Sequence, residues 1–211
     1  MTEYTATRQQ ELANAVTHGL GLLFCIIAMP FLLNNALKAN SAGQVLAALA
    51  FGLGMLMVYA SSTLYHAVQH EKAKNWLLVL DHISIYYLIA GSYTPMVIKF
   101  LPSNDAIIFL SVMWGMAVLG TVFKLFYTGK FGYFSLAVYV FMGCMVVFIA
   151  KPVLQNVPTN QLWWMVLGGI SYLVGVCFYV RSHVKYCHAI WHCFVLGGTV
   201  LHYVFVYQCI G

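Results

Sequence analysis

An all-α membrane bundle is the fold class this sequence predicts, and three observations carry the prediction. Hydrophobic residues make up 62% of the 211 residues and charged residues only 7%, where an ordinary soluble domain carries about 25% charge. The mean hydropathy is +0.84. The apolar residues fall in continuous runs of roughly 18 to 25 residues, the length needed to cross ~30 Å of hydrocarbon as a helix. A membrane barrel would instead alternate over segments of about ten residues.

Charged or turn-forming breaks divide the chain into seven expected spans. The first runs from Ala13 to Leu37, between Glu11 and Lys38. The second, Ala42 to Val68, stops before His70-Glu71-Lys72. Lys74 and Lys99 bracket the third, Trp76 to Ile98, within which Pro95 should kink the helix by removing a backbone hydrogen bond. The fourth, Ala106 to Phe126, follows Asp105, and the fifth, Tyr133 to Ala150, is stopped by Lys151-Pro152. The sixth, Leu162 to Tyr179, precedes Arg181, and the seventh runs from His188 to Cys209. Trp76, Trp163 and Trp164 stand where interfacial anchors belong. The loops are short, so residues 1–211 are expected to form a single membrane domain.

Composition excludes several functions. Ten Lys and Arg are scattered through the loops without forming a basic stripe, which argues against nucleic-acid binding. The six cysteines lack the spacing of a disulfide framework or a redox pair and are expected to be small buried hydrophobes. Glu3 and Glu11 make the first dozen residues too polar for a signal peptide. Alternating loops divide the basic residues seven to three: Arg8, Lys72, Lys74, Lys124, Lys130, Arg181 and Lys185 against Lys38, Lys99 and Lys151. The positive-inside rule then puts the N-terminus in the cytoplasm and the C-terminus outside.

An ionisable side chain near the bilayer centre costs roughly 2.5 to 3.5 kcal/mol on insertion scales, so such groups tend to face the bundle interior and serve a function. Here they are Glu11 and His18 near the start of the first span, His66 at the end of the second, Asp81 and His82 opening the third, and His188, His192 and His202 in the seventh. With this topology all but His202 lie toward the same face of the membrane. His188 and His192 share a helix face, as do Ser62 and His66, and Glu11, Asn14 and His18 follow one another at intervals of three and four. An HxxxH pair alone is a weak signal, and interfacial or hydrogen-bonded histidines are its bland explanation. A third histidine and a carboxylate at the same depth favour a metal. His66, His188 and His192 are then the three-nitrogen set of a catalytic zinc with an open fourth position. His70 and His183 are expected to be solvated, His202 to be a satisfied interior histidine, and His82 to make an interfacial hydrogen bond.

Glu11-Leu12-Ala13-Asn14 with Thr17-His18-Gly19, Ser61-Ser62-Thr63-Leu64-Tyr65-His66, Asp81-His82 leading to Ala90-Gly91-Ser92-Tyr93-Thr94-Pro95, and His188-Ala189-Ile190-Trp191-His192 together resemble the hemolysin III branch of the progestin and adipoQ receptor family. That family comprises seven-span proteins with cytoplasmic N-termini, and the resemblance covers nearly the whole chain. The short tails look like its bacterial branch, which implies the bacterial plasma membrane. The resemblance implies a zinc ion on His66, His188 and His192, with Asp81 on the zinc-bound water or just outside the ligands, and Ser62 beside the metal, where its hydroxyl meets substrate or water. Glu11, Asn14 and His18 are expected to support the site from behind the ligands.

Zinc with an open position suits hydrolysis of an amide or ester, with Asp81 as general base. Ligands near the cytoplasmic interface point to a membrane lipid as substrate or ligand, its chains inside the bundle. The resemblance extends to ceramide-cleaving enzymes, hence lipid amides. Two other readings stand beside this one: a sensor or regulator of membrane state with structural zinc, closed by Asp81, and the pore-forming cytolysin that the family label suggests. The chain displays few of the charged residues that line an aqueous conduit.

Overall fold

The computed structural model describes residues 6–210; Glu3 and the ends of the expected 1–211 domain lie outside them. Helices make up the fold, with no strand among the described residues. They are α1 (Arg8–Lys38), α2 (Ala42–Ala67), α3 (Glu71–Phe100), α4 (Ser103–Tyr127), α5 (Gly132–Gly143), α6 (Ala150–Asn156), α7 (Thr159–Tyr179) and α8 (Cys187–Ile210), with a 3-10 segment, Met145–Ile149, joining α5 to α6. Six segments are long and apolar enough to cross a membrane: α1, α2, α4, Gly132–Asn156 as a unit, α7 and α8. The chain is a multi-pass membrane protein. Its exterior carries Leu20, Ile27, Phe31, Leu119 and Phe148, all exposed to the surroundings that the apolar helices require.

The polar α3 is the central helix. It packs along α2 and also meets α4, α5 and α8, while α1 rests on α2 and α8. Ser84 and Thr94 of α3 are buried together with Tyr86, Leu88 and Ala90, so its lower hydropathy reflects a helix turned toward protein. Small residues permit the close approach to α2. A Cβ on Gly91 would stand 2.5 Å from the Ala50 carbonyl oxygen, and one on Gly54 would stand 2.9 Å from that of Tyr87.

Helix starts follow local chemistry. Thr7 and Gln10 form a reciprocal capping box, with Thr7 N–H donating to Gln10 Oε1 at 2.8 Å; this places Glu11 in the first turn of α1. His70, expected in a solvated loop, caps α3 by accepting from Ala73 N–H at 3.4 Å. Tyr186 adopts a left-handed conformation, φ 64°, immediately before α8 begins.

Two expectations need correction. The fifth span does not stop at Ala150: it breaks at Cys144, passes through the 3-10 segment and continues as helix to Asn156. Pro152 is tolerated because it falls in the first turn of α6, where its missing N–H is not needed. Tyr93 bridges the break, its hydroxyl donating to the Gly143 carbonyl at 2.6 Å and accepting from Val146 N–H at 3.1 Å, so the interrupted backbone remains paired. Helix α3 also continues past the buried Pro95, where Thr94 Oγ1 turns back to the Ala90 carbonyl at 2.8 Å. Second, only Cys25 and Cys209 are buried; Cys144, Cys177 and Cys193 are exposed among apolar neighbours and Cys187 is half-buried, because a lipid-facing surface accepts a small hydrophobe as readily as a core does.

Gly91→Ala is expected to cost about 1–3 kcal/mol, because its Cβ meets backbone that cannot step aside, whereas Gly115→Ala, with open space around it, should cost nothing. Reversible unfolding in mixed micelles tests this; equal stability of the two variants would refute the close α2–α3 packing.

Candidate metal centre

His66 sits in the last turn of α2, and His188 and His192 occupy the first two turns of α8. Their rings converge, with centroids 5.3 Å apart for His66–His188, 5.2 Å for His66–His192 and 4.6 Å for His188–His192. Interplanar angles of 66°, 62° and 64° turn the rings like blades around a common point. One nitrogen from each lies within 4.8 Å of the other two. A tetrahedral ion with ~2.05 Å bonds needs about 3.4 Å between ligands, a contraction within reach of small ring rotations.

The Nδ1 atoms fix which nitrogen faces inward. His66 Nδ1–H donates to Glu11 Oε2 at 2.5 Å, and the other Glu11 oxygen takes Lys74 Nζ at 2.8 Å. His192 Nδ1–H donates to the Asn14 carbonyl and to Thr17 Oγ1, both at 3.2 Å; the Thr17 hydroxyl has already directed its proton to the Asn14 and Ala13 carbonyls and can only accept. His188 Nδ1–H donates to Ser182 Oγ at 3.3 Å, whose own proton goes to the Tyr179 carbonyl at 2.6 Å. Each imidazole therefore carries its proton on Nδ1, leaving Nε2 with a lone pair.

All three Nε2 atoms are buried and without a hydrogen-bond partner among the described residues. Three lone pairs directed into one buried space repel one another and lack a donor, an arrangement that a cation relieves. The donor set of three neutral imidazoles, each held from behind through Nδ1, fits zinc.

Around the three histidines stand Ser62, Asp81, Glu11, Asn14 and His18. Ser62 is fully buried with its hydroxyl toward Asp81 of α3, which also faces His66. Glu11 holds His66, and Asn14 approaches the same ring, its Nδ2 3.5 Å from His66 Nδ1, besides offering its carbonyl to His192. His18 stacks on His192 with centroids 3.5 Å apart and planes 15° apart, both of its nitrogens unpartnered. Two histidines stand apart from the cluster: His82 donates through Nδ1 to the Leu78 carbonyl at 2.8 Å, and His202 donates through Nε2 to that of Met165 at 3.1 Å. Thr17, Lys74 and Ser182 complete the support. Thr17 belongs to the Thr17-His18-Gly19 motif, which assigns it no role, whereas nothing in sequence spacing marks Ser182, which reaches His188 across the turn before α8.

Beside the centre lies a cavity of about 360 Å³ that touches His18, Asp81 and Trp191 at this end and Met96 and Phe205 farther along. Its walls are mostly apolar. α7 packs chiefly on α8 and makes no comparable contact with α5 or α6. The cavity is bordered there by Val147 and Ile170, which are exposed on the outer surface, so it opens sideways between these helices.

Fold and site together define an all-helical membrane protein with a buried three-histidine centre beside an apolar cavity. The chain belongs to the haemolysin-III related family, whose pattern matches residues 6–203 and so includes every residue of the centre. It is 38% identical over 205 residues to the "Hemolysin-3 homolog" of Bacillus subtilis (strain 168), covering 97% of this chain and 96% of that protein. It is 36% identical over 201 residues to "Hemolysin-3" of Bacillus cereus, covering 95% and 92%. More distantly, it is 26% identical over 214 residues to the human "Monocyte to macrophage differentiation factor", covering 97% of this chain and 86% of the other.

Zinc titration of the detergent-purified protein should give one site, lost in His66→Ala and His192→Ala and weakened about 10–100-fold in Glu11→Gln, which no longer holds His66 Nδ1–H with a charge. Equal zinc affinity in wild type and Glu11→Gln would refute the assigned role of Glu11.

Proposed function

We propose that this protein is a zinc-dependent hydrolase of a membrane lipid amide or ester. The observation that carries the proposal is the set of three buried, unpartnered Nε2 atoms directed at one point beside a carboxylate and an apolar cavity. Zinc bound there would activate water and polarise a carbonyl. His66, His188 and His192 hold the ion. Asp81 would take the proton from the attacking water, and the Ser62 hydroxyl beside it would hydrogen-bond the reacting carbonyl or water. Glu11, Asn14 and His18 brace the ligands from behind. The cavity receives an acyl chain, and the gap between α5–α6 and α7 admits a lipid from the bilayer without drawing its chains through water.

In this reading α3 is a seventh crossing, its 30 residues long enough and its polar groups turned inward. The metal centre lies at the same end of the bundle as Arg8, Lys72, Lys74, Lys124, Lys130, Arg181 and Lys185, which makes that end cytoplasmic. The N-terminus is then inside, the C-terminus outside, and the membrane is the bacterial plasma membrane. Residues 1–211 act as one domain.

A second reading, a membrane-state regulator with structural zinc, is favoured by the way the centre ties α1, α2 and α8 together through Glu11, Asn14, Thr17 and the three histidines. A cytolytic role follows from the names of the family and of its Bacillus relatives; the apolar walls of the cavity suit hydrocarbon better than an aqueous conduit.

Asp81→Asn separates hydrolase from regulator. With zinc-loaded protein and a panel of lipid amides and esters, including ceramides, fatty-acid release should fall about 10²–10⁴-fold while zinc content stays near one per chain. Loss of zinc and thermal stability together would make Asp81 a closing ligand and the zinc structural. No zinc-dependent release from any member of the panel would count against the hydrolase.

A further inference from the structure

Three hydroxyls meet within the bundle at a position seven residues beyond His192 on α8, about 10 Å along the helix axis. Tyr59 of α2 donates to Thr199 Oγ1 of α8 at 2.7 Å, with the Val195 carbonyl a longer alternative at 3.5 Å. Tyr172 of α7 places its hydroxyl 2.8 Å from the same Thr199 oxygen. Tyr59 and Thr199 are fully buried. The Tyr172 ring is held by α8: a Cβ on Gly198 would come within 2.9 Å of it, and His202 meets it edge-on at 5.3 Å.

Each hydroxyl has one proton to place. The short bond assigns that of Tyr59 to Thr199. Either oxygen can donate across the 2.8 Å bond between Thr199 and Tyr172; with Thr199 donating, the Tyr172 proton is free to go to a ligand. Tyr172 forms part of the cavity wall, where its neighbours in the lining include Leu88, Ile89, Val140 and Ile170. A hydroxyl on a residue of an apolar cavity wall can turn its proton to a ligand that brings an oxygen to that depth.

We propose that Tyr172 is a specificity-determining residue. Its hydroxyl donates to an oxygen carried near the middle of an acyl chain whose head lies at the histidines, so the site prefers mid-chain hydroxylated lipids to plain ones. The distance from His192 to Thr199 corresponds to about eight carbons of an extended chain. This proposal rests on the lipid reading above and adds the class of chain.

The test is calorimetric titration of the zinc-loaded wild type and Tyr172→Phe in detergent with stearate, 10-hydroxystearate and 2-hydroxystearate, the acids that hydrolysis would release. Wild type should bind 10-hydroxystearate about five- to tenfold more tightly than stearate, the value of one neutral hydrogen bond. In Tyr172→Phe that ratio should fall to about one. The ratio of 2-hydroxystearate to stearate should be the same in both proteins, since its hydroxyl lies at the head. Equal affinities of wild type for stearate and 10-hydroxystearate would overturn the proposal, whether or not the variant folds, and so would a preference that survives in Tyr172→Phe. Binding of stearate without a preference leaves the lipid reading standing, whereas binding of none of the acids removes both.

Discussion

Three imidazole lone pairs facing one another in a buried space are the constraint on which this architecture depends. Such an arrangement persists only if each ring is oriented from outside, and each is: two from α1 and the third from the turn before α8. The carboxylate of Glu11 holds His66, the first helix's backbone and Thr17 hold His192, and Ser182 holds His188 from the turn before α8. The capping box at Thr7 and the left-handed Tyr186 therefore matter beyond their own turns: they set where α1 and α8 begin, and with that the height at which Glu11 and His188 face α2. Lys74 extends the arrangement to α3 by balancing the Glu11 charge.

Hydrocarbon imposes the second constraint. Backbone and side-chain polar groups inside the membrane must find partners within the protein, and the molecule meets this where regular helix fails. The fifth span breaks at Cys144, yet the Tyr93 hydroxyl serves both sides of the break. Thr94 and Trp114 form a similar local pair beside Pro95, with the indole N–H donating to the threonine oxygen at 3.2 Å. Polar residues are thus concentrated on α3, the helix that other helices surround, and the apolar ones face outward.

The peripheral placement of α7 connects these constraints to function. Because it leans on α8 and leaves a gap toward α5 and α6, the interior is reached from the side, at the depth of hydrocarbon. On the proposed reading, a reactive centre at one end of such a space would meet a lipid's polar head while the chain stayed in an apolar medium, so the lipid would not have to be extracted into water.

The sequence by itself determined the helical membrane class, most helix positions and the identity of the clustered histidines. Hydropathy over about 20 residues and the one-turn repeat between His188 and His192 are local quantities, legible along a single strand of text, and the shared depth of His66 and Asp81 follows from counting crossings. The tertiary structure decided what depends on neighbours distant in sequence. It alone determined which imidazole nitrogen faces inward, since Glu11, Asn14 and Ser182 select it. It also determined that the fifth span could break at Cys144, since only Tyr93, 51 positions away in sequence, makes that break affordable in hydrocarbon, and that Tyr172 joins Thr199 and Tyr59 across three helices. Periodicity reports which face of a helix is apolar; which side chains complete one another's hydrogen bonds is settled only when the helices pack.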